Sequence, residues 1–289
     1  MPEDAGSTAI GWRRVVMDRL ATAGAGAAAF VVMAPLIAIF VYLVVRGAGA
    51  LSWAFLFNSP RPVGESGGGI GNAIAGSAVI LGIACLIGVP LGIGAGVCLA
   101  EYGGGRLSTL VRFVADVLNG VPSIVMGIAV YALVVVQQKH FSALAGGLAL
   151  GIMMIPTVTR ATEEMLLMVP RSIREAALGL GVAEWRTVVS VTLRTALPGV
   201  ITGIMLAFAR VAGETAPLLF TAFGNQFWNW NVNQPTAALP LQIYTYAISP
   251  YDEWHRQAWA GALVLIVLIV GTVALVRWVT SRGVMKGTG

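Results

Sequence analysis

The chain has 289 residues, of which 57% are hydrophobic and only 11% charged, with a formal net charge of +5. This balance excludes a water-soluble domain of that length and points to the bilayer as the solvent. Cys85 and Cys98 share one apolar run without a CxxC or a neighbouring histidine. They read as small apolar packing residues rather than a disulfide or metal pair, and the single residues His140 and His255 read as no metal site either.

A transmembrane helix needs about 20 apolar residues. Six runs are long enough: Leu20–Val45, Ser66–Ala100, Val117–Gln138, Phe141–Thr159, the Ala196–Leu219 region and Gln257–Val276. The expected fold is therefore an all-α polytopic membrane protein of six transmembrane helices, with both termini on one side. The first run follows Arg13, Arg14 and Arg19 and exceeds a signal-peptide core of about 7–15 residues, so it reads as a retained anchor.

Arginine and lysine orient the chain. With the N-terminus inside, Arg13, Arg14, Arg19, Arg106, Arg112, Arg160, Arg171, Arg174, Arg186, Arg194, Arg277, Arg282 and Lys286 fall on the cytoplasmic side. Only Arg46, Arg61, Lys139 and Arg256 fall outside, as the positive-inside rule requires. The positive charge reports topology, and no nucleic-acid partner is needed to explain it.

The Gly67–Asn72 run lacks the Lys-Ser/Thr of a phosphate-cradling loop. It reads as a flexible entry to the second helix that also permits close helix packing, with an anion at that helix N-terminus as the lesser alternative. At the inner end of the fourth run, Arg160 and Glu163 stand three apart and share a helix face. They read either as a solvated helix end or as part of a translocation path.

The longest inner connection, Arg160–Thr195, holds five arginines together with Glu163, Glu164, Glu175 and Glu184. Ser172-Ile173-Arg174-Glu175 fits a capping box, which predicts a helix start. Gly179 and Gly181 then interrupt the pattern, and Val182–Leu193 resumes it until Pro198, giving helix, turn, helix. Pattern alone leaves a solvated amphipathic loop and a docking surface as equal readings.

In the fifth run Arg210 lies about 21 Å beyond Ala196 at 1.5 Å per residue, past the midplane of a hydrocarbon core about 30 Å thick. An unpaired arginine there is costly, so Glu214 at i+4 is the expected partner, in a structural bridge or in a transport site. The outer segment Phe220–Trp254 is rich in Asn, Gln, Trp and Tyr. It reads as an interfacial aromatic belt, with ligand stacking and a contact surface for another protein as the alternatives.

Glu175-Ala176-Ala177, Leu180-Gly181, Trp185, Leu193 and Leu197-Pro198-Gly199 together match the EAA loop of ABC-importer permeases. Arg210 to Ala222, Asn233-Gln234-Pro235, Ala238-Leu239-Pro240, Tyr246-Ala247 and Ser249-Pro250-Tyr251 resemble the A-type permease subunit of the phosphate-specific importers. The likeness runs from Gly68 to the sixth helix. Arg194 departs from it, standing where many relatives carry a first proline.

The resemblance implies a type I ABC-importer permease fold with a coupling helix that docks on an ATPase. It assigns Glu175, Ala176, Ala177, Leu180, Gly181 and Trp185 to that coupling loop, and Arg160, Glu163, Arg210 and Glu214 to the translocation path. The only lysines, Lys139 and Lys286, do not complete a Walker A motif. This chain is then a non-catalytic permease binding no cofactor itself, with ATP and Mg used by two copies of a separate ATPase subunit. The further implied partners are a homologous second permease in a heterodimer, an extracytoplasmic phosphate-binding protein and membrane lipid.

The expected organisation is a cytoplasmic tail over 1–22, a permease domain over 23–280 and a cytoplasmic tail over 281–289. Within the domain lie the coupling loop 160–195 and the extracytoplasmic segment 220–256. The setting implied is a bacterial-type cell membrane. The alternatives are an ABC permease for sulfate, molybdate or an amino acid, and an ion-coupled transporter or membrane enzyme built on Glu163, Glu164 and Glu214.

Overall fold

The computed structural model describes residues 12–62, 65 and 67–285. Residues 1–11 and 286–289, which belong to the two expected tails, lie outside the described residues. In chain order the helices are α1 (Trp12–Gly47), short α2 (Trp53–Phe57), α3 (Gly71–Glu101), α4 (Arg106–Gly120) and α5 (Ser123–Gln138). They continue with α6 (Ala143–Leu167), α7 (Arg171–Gly179), α8 (Glu184–Ala212), α9 (Ala216–Thr221), α10 (Leu239–Ala247) and α11 (Asp252–Met285). Helix α1 thus begins well inside the stretch expected as a tail.

Among the described residues, α1, α3, α6, α8 and α11 are each long and apolar enough to cross a membrane, and α4 with α5 makes a sixth candidate. That third run is not the single helix expected over Val117–Gln138. It breaks at Val121-Pro122, and α4 and α5 meet at 104°. Pro122 has no amide proton and forces the residue before it out of helical geometry, and Val121 accordingly sits at φ −68°, ψ 131°. Helix α4 is amphipathic, with Arg112, Asp116 and Asn119 turned towards α6 and Leu110, Phe113 and Val117 exposed.

The centre of the fold is the packing of α3 on α6. Along α3 the buried positions Gly76, Ile80, Ala84, Gly88, Gly92 and Gly96 recur every fourth residue. This is the small-residue ridge that lets two membrane helices approach closely where lipid supplies no hydrophobic drive. A Cβ at Gly88 would lie 2.8 Å from the carbonyl oxygen of Gly151, one at Gly92 2.6 Å from Val158 Cβ, and one at Gly96 2.6 Å from Thr162 Cβ. Leu150, Met154 and Val158 of α6 then fill the core with Val211, Leu218 and Leu241.

The segment after α8 is more ordered than a surface belt. Backbone carbonyls of Thr221, Gln234 and Val232 accept from the amides of Ser142, Ala143 and Leu144, while Ser142 Oγ accepts from the Ala145 amide at 3.1 Å. The first-turn amides of α6, which have no partner within their own helix, are thereby satisfied from a distant stretch of chain. Ser77 Oγ accepts from the Leu239 amide at 2.7 Å and Asn72 Nδ2 donates to Asn225 O at 2.7 Å, fastening the segment to α3 as well. Some aromatics stay outside, with Trp228 stacked on Trp230, whereas Tyr246 is buried and stacks on Trp254.

Candidate functional site

The middle of α4 meets the C-terminal part of α6 in a four-residue charge network. Glu163 is one of the few buried carboxylates, its side chain 4% exposed. It accepts from Arg112 Nε at 2.6 Å and from Arg160 Nη1 at 3.1 Å. Arg160 donates in turn to both oxygens of Asp116, from Nε to Oδ1 at 2.9 Å and from Nη2 to Oδ2. Arg112 Nη2 also donates to Leu99 O at 3.1 Å, so the network reaches α3. One helical turn away, Thr157 Oγ1 donates to Asn119 Oδ1 at 3.1 Å.

Arg160 and Glu163 therefore do meet, but as members of a larger set. Arg112 and Asp116 were absent from the expected site, although the signal was present: opposite charges four apart on an amphipathic stretch put both on one face. Two guanidinium groups around one buried carboxylate, with a second carboxylate forked onto Arg160, make an array whose chemistry is bidentate recognition of oxyanions.

The expected pairing of Arg210 with Glu214 does not form. Helix α8 ends at Ala212 with Gly213 as its cap, so Glu214 has left the helix and the i,i+4 relation no longer applies. Arg210 is exposed on the chain surface and Glu214 is half-buried, and no ion pair joins them among the described residues. The sequence signal against the pairing was Gly213 itself, a residue that commonly ends helices.

In the loop expected to couple to an ATPase, the expected capping box is likewise not made. Helix α7 starts at Arg171 with Pro170 in the capping position, which puts Ser172 inside the first turn, and no side chain caps the helix. The other end follows its sequence closely. The Gly181 amide donates to Leu178 O at 2.9 Å and the Val182 amide to Ala177 O at 3.2 Å, with Gly181 at φ +78°. This is a Schellman ending, for which glycine is the favoured residue. Ala177 faces inward, while Leu180 (85% exposed) and Trp185 (61%) project into the open, with Arg186 stacked over the Trp185 ring. Glu175 and Ala176 are exposed on the same short helix.

One side chain ties this loop to the membrane helices. Arg174 Nη2 lies 3.0 Å from Glu101 Oε1 at the end of α3 and donates to Leu166 O at the end of α6 at 2.7 Å. The second loop helix runs through Arg194 without a break into the membrane-spanning part of α8, by way of a π-helical turn over Val188–Thr192.

At the opposite end of the molecule a pocket of about 300 Å³ is lined by Arg61, Asn225, Gln226, Gln242, Thr245 and Tyr246, among others. Gln242 Nε2 donates to the Tyr246 hydroxyl at 2.9 Å. Burial pushes that hydroxyl above the usual tyrosine range, with the Gln242 hydrogen bond pulling the other way.

Comparison with known proteins agrees with this architecture. Residues 88–283 match the family model "Binding-protein-dependent transport system inner membrane component". The chain is 51% identical over 217 residues to a phosphate transport system permease protein PstA of Xylella fastidiosa, covering 74% of this chain and 76% of that one. It is 45% identical over 240 residues to the Yersinia pestis PstA, covering 83% and 81%. To PstA 1 of Mycobacterium tuberculosis it is 38% identical over 280 residues, covering 93% and 91%.

In fold it resembles the solved structure of the MetNI methionine ABC transporter in inward-facing conformations, at a TM-score of 0.56 and 20% identity, over 86% of this chain and 97% of that one. The six-candidate helical architecture and these likenesses lead to one assignment: the chain belongs to the binding-protein-dependent transport system inner membrane components, within the PstA group of ABC-importer permeases.

Proposed function

We propose that this chain is one of the two membrane-spanning halves of an ATP-driven importer and that it passes inorganic phosphate handed over by an extracytoplasmic binding protein. The observation that carries the reading is the 45% to 51% identity to phosphate permeases over about three-quarters of the chain or more. The other half is a homologous permease, and two copies of an ATPase subunit supply ATP hydrolysis with Mg. The arginine distribution supports a cell-membrane orientation with both termini cytoplasmic.

In this reading Glu175, Ala176, Leu180, Gly181 and Trp185 form the surface met by the ATPase, with Ala177 packed beneath it. Movement of α7 reaches α3 and α6 through Arg174, and reaches the core directly through α8. Rigid short elements of this kind transmit domain closure well. Arg160, with Glu163 beside it, and Arg210 serve the anion path, where a guanidinium compensates charge that has lost its water and a nearby carboxylate prevents binding too tight for release. Glu214 acts there apart from Arg210.

The test is phosphate uptake into proteoliposomes holding the complete complex, with assembled complex quantified in each sample. Arg160→Gln is expected to remove uptake at normal assembly. Wild-type uptake in this variant would refute a place for Arg160 in the pathway, and sulfate uptake in place of phosphate by the unaltered complex would refute the substrate.

A further inference from the structure

The Arg160 guanidinium has two different carboxylate partners. Glu163 is buried, held by two arginines and fixed on the same helix as Arg160. Asp116 belongs to α4, its side chain is 57% exposed, and among the described residues it pairs with Arg160 alone. The Asp116 contact engages Nε and Nη2, the guanidinium edge that takes two oxygens at once. A phosphate oxyanion presents two oxygens to that same edge in the same parallel fashion.

We infer that Asp116 is a displaceable counter-ion: it occupies the Arg160 edge while the site is empty and yields that edge to the arriving anion. This deepens the transport reading and rests on it. Four observations favour Asp116 over the other groups present. Its exposure lets the carboxylate return to water when it is released, whereas Glu163 has no water to return to. Its departure requires only side-chain rotation, because Arg112, one turn earlier on α4, stays anchored to Glu163 and to Leu99 O. Its negative charge and that of the anion repel, so the two cannot share the edge. The remaining Glu163 bonds keep both guanidiniums in place after the exchange.

The consequence is that the empty site carries its own substitute for the substrate. Release of the anion is then assisted by the returning carboxylate, and the arginine is never left without a partner.

The experiment measures equilibrium binding of radiolabelled inorganic phosphate to the assembled permease–ATPase complex without binding protein, alongside uptake. Asp116→Asn removes the competing charge. An exposed ion pair is worth roughly 0.2–1 kcal/mol, so phosphate should bind about 1.4- to fivefold more tightly and leave more slowly. Turnover at saturating phosphate should fall, and Asp116→Glu should restore both. Unchanged or weaker phosphate binding in Asp116→Asn would overturn the inference. So would failure of both Asp116→Asn and Asp116→Ser to assemble, since a displaceable group cannot be a structural requirement. Arg160→Gln separates the two levels. If it abolishes uptake while Asp116→Asn binds phosphate normally, only the counter-ion role falls, and if it transports normally the place of Arg160 in the anion path falls with it.

Discussion

The guanidinium of Arg174 stands 3.0 Å from the carboxylate of Glu101, joining α7 to the C-terminal end of α3. Both side chains are largely buried, and the same Arg174 nitrogen holds Leu166 O of α6. Arg174→Met keeps the aliphatic volume and removes the link. The expected result is ATP hydrolysis that continues while phosphate uptake per ATP falls about tenfold, a loss of roughly 1.4 kcal/mol of coupling. Side-by-side ATPase and uptake assays on equal amounts of complex check it, and an unchanged ratio would count against Arg174 as the link.

Glu163 separates structural from transport roles within the charge network. Glu163→Ala leaves Arg112 and Arg160 without their shared carboxylate, and removing one member of a buried pair typically costs about 3–5 kcal/mol. The amount of folded complex in the membrane should drop sharply. Glu163→Gln retains an acceptor and should assemble better while transporting poorly. Equal assembly of the two variants would show that the network is not buried in the complex as it is in the single chain.

The glycine ridge on α3 predicts a contrast between near neighbours. Gly92→Ala puts a methyl 2.6 Å from Val158 Cβ, whereas the Cβ of Gly94→Ala meets nothing within 4 Å. Overpacking of this kind costs about 1–3 kcal/mol. Thermal stability of the purified complex should therefore fall for Gly92→Ala and hold for Gly94→Ala, and equal loss in both would argue against the ridge as the cause.

Gly181 tests backbone conformation apart from packing. Its φ is +78° and no atom would meet its Cβ, so any penalty on substitution is conformational. A side chain in the left-handed region costs about 1–2 kcal/mol, and asparagine tolerates that region better than others. Gly181→Val should uncouple ATP hydrolysis from uptake with the membrane fold intact, while Gly181→Asn should recover most of the coupling. Equal coupling in Gly181→Val and the parent complex would overturn the role of this turn.

Arg210→Gln should abolish uptake and Glu214→Gln should reduce turnover, each at normal assembly. Because the two residues are not in contact, their effects on uptake should combine independently in the double variant. A double variant no worse than Arg210→Gln alone, with residual uptake still measurable in each, would indicate that they act as a pair.

Much of this fold was legible because lipid demands long apolar runs, and those runs located α1, α3, α6, α8 and α11. What escaped was decided by single residues. Pro122 broke a run that hydropathy alone treats as continuous, and Gly213 released Glu214 from the helix that would have paired it with Arg210. The Arg160–Glu163 contact was readable from its spacing, since both lie on one helix. That Arg112 and Asp116 share a face was readable from their spacing too, but their contact with α6 was not, because it depends on how α4 turns at Val121-Pro122, and no local pattern fixes that angle. The period-four ridge on α3 was visible as small residues, but its partner on α6 appears only in three dimensions.

The fastening of α6 by Thr221, Val232 and Gln234 also sets an order of assembly. A ribosome delivers α6 to the membrane well before those three carbonyls have been synthesised. During that interval the amides of Ser142, Ala143 and Leu144 must be satisfied by water at the membrane surface. The N-terminal end of α6 is thus among the last parts of the molecule to close, and a nascent chain arrested before Gln234 would carry its central helix unsealed.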